Sequence, residues 1–476
     1  MKSTQKIISV YSLIVLTLII QGCRDNYFDL NENPNLVQDP PLDALLTTVT
    51  HKTGLNSQRF AAFTGYYTQY IANPSAGGSA DTYQVTDNST QWDYAYYAMA
   101  DLYDMQVLAR ELGSSEHLGV ANILMAYHIG LVSDVWGSAP FSDGFGGNTL
   151  APEYDSEEAL YQEALRLIIE GIDELQKTGS NLQLGETEDL IHGGDVQAWI
   201  KTAYALQARF LNKISKKAEY SASQVLDAID NSYASNTDDA EMGVFEGINP
   251  WAQIARNNAN DLLGGWLSDN WINHLNGEKY GVFDPRIEKI TDLTVNGEYV
   301  GTRNGEGNTG GANTIKDECY ISENSTVTSP ESPLVIVSYA EMKFVEAEAA
   351  FRSGDTERAY DAYLEGIRAH MEKLEVSGED AGDYIANPEV GVGMANLTLD
   401  LIFKEKYVVT YLNPEAWNDM RRHDYMYEDF RMPLNAVLDT FIRRVAYPSN
   451  ERSENGNNVP EEVPLSTPLW WDRQED

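Results

Sequence analysis

The sequence predicts a mainly α fold, built from helix pairs joined by long irregular loops. Three observations carry that prediction. Apolar residues recur at helical spacing through most of the chain, the stretches between them are long and rich in Gly, Asn and Asp, and clean period-two alternation is almost absent. Only Leu334–Val337, a short apolar run after Pro333, reads as a strand.

Charge narrows the partners. Acidic residues outnumber basic ones, 73 to 33 in 476 residues, and a formal charge of -40 opposes nucleic acid and anionic lipid because the summed field repels phosphates. With 42% apolar and 11% aromatic residues the composition is globular, and its 28 tyrosines are over-used. Tyrosine is core material, but also a rigid amphipathic contact residue.

At the N-terminus, Lys2 and Lys6 precede an apolar run from Ile7 to Ile20 that reads as an export signal, and the run ends at Ile20-Gln21-Gly22-Cys23. That end resembles a bacterial lipoprotein cleavage site, with residues 1–22 removed and Cys23 lipidated, although Gln21 departs from the usual small residue. An acidic, proline-bearing tether over 23–41 would follow. With Cys23 acylated, Cys319 stands alone in acidic surroundings that do not stabilise a thiolate, and it reads as an inert structural thiol.

A single domain over 42–476 is expected beyond the tether. Helices are predicted over 42–50, 57–71, 92–112 and 118–133, with a Gly/Asn-bearing loop over 72–91. Leu160, Ala164, Leu167, Ile168 and Ile172 then form one stripe, and Trp199, Ala203, Leu206, Phe210 and Ile214 another, making a second helix pair. Residues 231–332 form a loop-rich insert whose embedded tryptophans favour an ordered structure. The sharpest pattern comes next. Ala340, Phe344, Ala347 and Phe351 make one face, Ser353-Gly354-Asp355 stops the helix and starts another, and Ala359, Tyr363, Gly366, Ile367 and His370 answer it. The spacing resembles a tetratricopeptide hairpin, which cannot bury its faces without further pairs. A last helix is expected over 397–412, before an irregular tail.

The order of the local motifs resembles the SusD/RagB family of outer-membrane nutrient-binding lipoproteins of Bacteroidota, in its SusD-like 2 branch. The matching pieces are the cleavage site at Cys23, Asp29-Leu30-Asn31 with Asn33-Pro34-Asn35, Asp134-x-Trp136-Gly137-x-x-Pro140-Phe141, and Tyr154-Asp155-Ser156. Asp284-Pro285-Arg286, Tyr339-Ala340-Glu341, Glu348-Ala349, Trp417-Asn418-Asp419-x-Arg421-Arg422 and Tyr447-Pro448 continue the series almost to the end. The resemblance implies four tetratricopeptide-like pairs with long irregular ligand-binding loops packed on one side. It further implies lipid anchoring at the cell surface, a SusC-type TonB-dependent transporter as partner, an oligosaccharide as ligand, and no catalysis. A peptide, as in RagB-like relatives, is the alternative ligand, and a surface glycoside hydrolase a distant third reading.

A sugar offers hydroxyls at its edge and C–H groups on its face, so a binder needs flat rings beside Asp, Asn or Arg. Around the loop before residue 92, Trp92 and Tyr83 are expected to stack, Asp81 and Asn73 to hydrogen-bond, and Tyr70 and Tyr94 to flank them. The competing reading of Trp92 is a core ring at a helix start. Trp266, Trp271 and Arg303 make a second candidate group, with anchoring of irregular loops as the competing role. Trp136 reads as structural, and Arg421 and Arg422 as partners of carboxylates such as Asp419 and Asp424. No zinc-protease helix, nucleophile elbow or phosphate loop is present, so no catalytic residue or cofactor is assigned; the Gly/Asn run over 304–313 lacks regular acidic spacing, and no metal is assigned either.

Overall fold

Several helix ends in this protein are written locally and realised as written. In the computed structural model, Ser114, Ser156, Ser338 and Thr398 each accept a hydrogen bond from a first-turn amide, and Gly113 and Gly354 take the left-handed conformation that closes the helices before them. The structure describes residues 40–147, 149–259, 264–308 and 317–474. The leader, Cys23 and nearly all of the tether lie outside these residues, as does half of the Gly/Asn run.

Leu42–Tyr67 forms α1, Ser89–Leu112 α2, Ser115–Trp136 α3, Glu157–Leu175 α4, Val196–Lys213 α5 and Ala222–Ile229 α6. The sharp hairpin supplies α10 (Tyr339–Ser353) and α11 (Thr356–Lys373) after shorter elements that include α7 (Pro250–Ala259), α8 (Asp269–Leu275), α9 (Ile287–Ile290) and the strand Leu334–Val337. Gly378–Ala386 is α12, Leu399–Val409 α13, Glu415–Arg422 α14 and Ser449–Glu454 α15. Contacts run from α1 to α2, α3, α4, α5 and α6 in turn, then to α10 and α11, so four helix pairs stack in chain order with the tetratricopeptide-like packing that the resemblance implies. Leu42–Asp476 is one compact unit.

α3 is apolar enough to cross a membrane, with a mean hydropathy of 1.4, but 94% of that apolar window is buried among its neighbours. It is the core helix of the stack. Where α3 meets α4 a Cβ on Gly119 would come within 2.9 Å of the Gly171 carbonyl oxygen, so small residues set the approach of the two backbones. The α10–α11 pair uses the same device. A Cβ at Gly366 would stand 2.6 Å from Cε2 of Phe344, a ring with no exposed surface. Gly366→Ala is therefore expected to cost about 1–3 kcal/mol through overpacking, measured by chemical denaturation.

One predicted break is absent. The sequence splits 42–71 into two helices, because Thr50, Thr53, Gly54, Asn56 and Ser57 interrupt the apolar pattern; α1 runs straight through them. Thr50 and Thr53 donate back to the carbonyls of Leu46 and Val49, at 2.7 Å each, and Gly54 admits Met242, whose Cβ would lie 2.6 Å from any Cβ there. Polar residues are thus consumed inside the helix rather than ending it.

Four short strands form two antiparallel pairs. Ile71–Ala72 (β1) pairs with Trp266–Leu267 (β3), and Ala240–Met242 (β2) with Leu334–Val337 (β4), the one strand that the sequence predicts. Trp251, Trp266 and Trp271 of the insert are all buried, and Cys319 is 2% exposed with its thiol pushed up to about 11 by burial, as an inert thiol requires.

Candidate functional site

The β1–β3 pair is what brings the two predicted groups of site residues together. Tyr70 enters β1 and Trp271 lies on α8 just beyond β3, so their rings meet edge to face at 4.9 Å. Tyr70 stacks on Tyr407 of α13 at 4.5 Å, and Trp271 on Tyr411 at 4.8 Å. These four rings join the loops to the scaffold. All are buried, so neither Tyr70 nor Trp271 has a face to offer a sugar, and Trp266, 1% exposed, is likewise an anchor.

Asp81 is the knot of the loops. Its Oδ1 accepts from Asn304 Nδ2 at 2.8 Å, and its Oδ2 accepts from the Asn73 amide at 2.8 Å and the Gly305 amide at 3.0 Å. Asn304 also donates to the Ile71 carbonyl at 2.9 Å and accepts from Ser268 Oγ at 2.6 Å. A third segment joins where Leu434 donates to the Asn304 carbonyl and Val437 to that of Thr82, both at 2.9 Å. Asp81 is fully buried and its acceptors are spent inside the protein, so it holds loops rather than ligand. Asn73 is spent similarly, its Oδ1 accepting from the Ser75 amide at 2.9 Å. Tyr83 is buried with φ of 58°, its ring against Tyr67.

Burial pushes the Asp81 carboxyl up to about 6, against the pull of its three N–H donors. A folded pKa above the unfolded value means that the native state binds the extra proton, so this group's contribution to stability is complete below about pH 4 and is lost as pH rises to about 6. The stability of the wild type relative to Asp81→Asn is therefore expected to rise as pH falls across that window, as measured by denaturation at several pH values.

Trp92 and Tyr94 go elsewhere. Trp92 is 3% exposed on α2, with Trp136 edge-on at 5.1 Å and Tyr96 at 4.8 Å, which makes it core. Trp136 itself is fully buried and donates to the Ala446 carbonyl at 3.1 Å, the structural role read from the sequence. Tyr94 is exposed, but the Arg59 guanidinium lies 3.7 Å over its ring. Of the paired arginines, Arg422 meets Asp419 and Glu348, whereas Arg421 donates to the backbone carbonyls of Asp134 and Arg443 and to Asn418, so its expected carboxylate partner is replaced by carbonyls.

Arg303 is the predicted residue left facing open space. It lines a small polar cleft of about 20 Å3, room for about one water or one carboxylate group, with Asp269, Asn270, Asn273, Lys279, Asp429 and Arg431. Arg431 pairs with Asp429, while Lys279 donates to Asn270 Oδ1 and, at 3.2 Å, to the Asp429 carbonyl. Burial lowers the Lys279 ammonium to about 8 and raises the Asp269 carboxyl. Gln69 closes one wall by donating to the Arg431 carbonyl at 2.7 Å. Asp429 also borders a groove of about 490 Å3 lined by Tyr280, Tyr427, Asp400 and Lys404, with the Lys404 ammonium 4.6 Å over the Tyr280 ring. Together the two hollows offer planar donors, carboxylates, amides and half-buried rings, the chemistry that polyhydroxylated ligands need.

Sequence reasoning missed Lys279, Tyr280, Tyr427, Asp429 and Arg431. The one local signal is Asp429-Phe430-Arg431, charges around a ring in an irregular stretch, and it gains meaning only when that stretch is seen against α8.

A stacked-helix scaffold with a polar cleft on its loops defines a ligand-binding protein. The chain belongs to the SusD-like 2 family, described as starch-binding associating with outer membrane, which it matches over residues 34–448. Solved structures agree with that fold. A SusD/RagB family protein from Bacteroides thetaiotaomicron is 20% identical with a TM-score of 0.73, covering 92% of this chain and 100% of its own. A chitin-binding SusD homolog from Flavobacterium johnsoniae is 21% identical with a TM-score of 0.76, covering 90% and 99%. A SusD homolog from Bacteroides ovatus is 22% identical with a TM-score of 0.74, covering 91% and 99%. No curated protein matches the sequence.

Proposed function

We propose that this protein captures an oligosaccharide at the bacterial cell surface, without cleaving it, and passes it to a SusC-type TonB-dependent transporter, while lipid on Cys23 holds it at the outer membrane. The observation that carries the reading is the cleft around Arg303. Guanidinium, carboxylate and amide groups from three separated segments converge there beside a groove with tyrosine rings, on a family scaffold associated with starch binding. Vicinal hydroxyls suit such planar donors and acceptors, and a half-buried ring suits a sugar face.

The test is to titrate the purified protein with a glycan panel and analyse the recovered ligand. Binding with intact product is expected, together with an affinity loss of about tenfold or more in Arg303→Ala, since hydrogen bonds to charged groups are each worth about 1.5–3 kcal/mol. Binding of peptides in place of every glycan would favour the peptide reading, and shortened products would show a hydrolase.

A further inference from the structure

The cleft deepens that oligosaccharide reading, because its charge runs against the rest of the molecule. In a chain where acids outnumber bases 73 to 33, three cations, Arg303, Lys279 and Arg431, line the cleft with two carboxylates, Asp269 and Asp429, and Glu428 acts on Lys279 from the adjoining groove. Arg431 is committed to Asp429, and Lys279 to Asn270. Among the described residues, no carboxylate lies within ion-pair reach of Arg303, although Asp269 and Asp429 act on it at longer range. A planar guanidinium with a free fork, half-buried in a polar wall, is built to take a carboxylate through two parallel hydrogen bonds.

We infer that the cleft selects acidic sugars, with Arg303 receiving the carboxylate of a uronic-acid residue while the neighbouring Asn273 and Asp269 meet its hydroxyls. A neutral sugar would use one or two of the five guanidinium donors and leave the Arg303 charge without an ion pair. The overall negative charge does not prevent this. Exposed charges are screened beyond about 8 Å at physiological ionic strength, whereas Arg303 would meet its anion in direct contact. Lys279 supports the same assignment: its ammonium, lowered by burial, would be favoured by an anion bound alongside.

The inference rests on the oligosaccharide reading and is tested beside it. Oligomers of galacturonan, alginate and glucuronoxylan are titrated calorimetrically next to their carboxyl-reduced neutral forms, with starch and chitin oligomers as further neutral ligands. The expected result is at least tenfold tighter binding of one acidic oligomer than of its reduced form. That preference should weaken with added salt, and vanish in Arg303→Gln but persist in part in Arg303→Lys. Circular dichroism and denaturation check that the variants fold. Equal or tighter binding of neutral forms would overturn the acidic preference and leave oligosaccharide capture standing. Failure of every glycan, acidic and neutral, would overturn both.

Discussion

Replacing Arg286 with Met is expected to destabilise the protein by about 3–5 kcal/mol, the cost of leaving buried charge without its partner. Arg286 is fully buried, with Nε donating to Asp284 Oδ1 at 2.9 Å and Nη2 to Asp284 Oδ2 at 2.6 Å and to Glu405 on α13. Tyr384 of α12 donates to the other Glu405 oxygen at 2.8 Å. Burial alone would raise the Glu405 carboxyl, but Arg286 and then Lys404 outweigh it and hold the group down to about 2. Its folded pKa lies below the unfolded one, so this stability is present above about pH 4.5 and is lost as pH falls towards 2. Equilibrium denaturation at neutral pH measures the loss. A companion variant carrying Asp284→Asn and Glu405→Gln with Arg286→Met should recover part of it; equal instability of the two would mean that volume, not charge, is what the arginine supplies.

Trp92→Ala is expected to cost a similar amount, about 3–5 kcal/mol, as a large-to-small change in a sealed aromatic cluster. Trp92 holds Trp136, Tyr96, Tyr154 and Tyr447 within 6.4 Å, which ties α2 to the end of α3 and to the segment before α15. The variant should unfold at lower denaturant while the natively folded fraction keeps wild-type glycan affinity. A large drop in affinity with unchanged stability would return Trp92 to the ligand.

The two residues show what a sequence can and cannot tell. Trp92 stands at a helix start beside a polar loop, and both a core ring and a stacking platform look like that in one dimension. The helix pairs were legible because apolar spacing and caps act over a few residues, and Leu334–Val337 was legible for the same reason. The cleft depends instead on residue 69 meeting residue 431, and residue 81 meeting residue 305, pairings with no local periodicity. Arg303 was singled out with Trp266 and Trp271 only because all three fall in the loop-rich insert. Asp81 was noticed for the right chemistry and given the wrong target, since its hydrogen bonds are aimed at backbone amides of its own loops.

That misdirected carboxylate has a consequence for binding. Because Asp81 joins the segments around Asn73 and Gly305, and Asn304 joins both to Leu434, the three loops beside the cleft are held as one body before any ligand arrives. A ligand entering such a site orders little that was not already ordered, so less of its contact energy is offset by lost loop entropy. Association then needs no rearrangement of these loops, and differences between related ligands should appear in how slowly they leave.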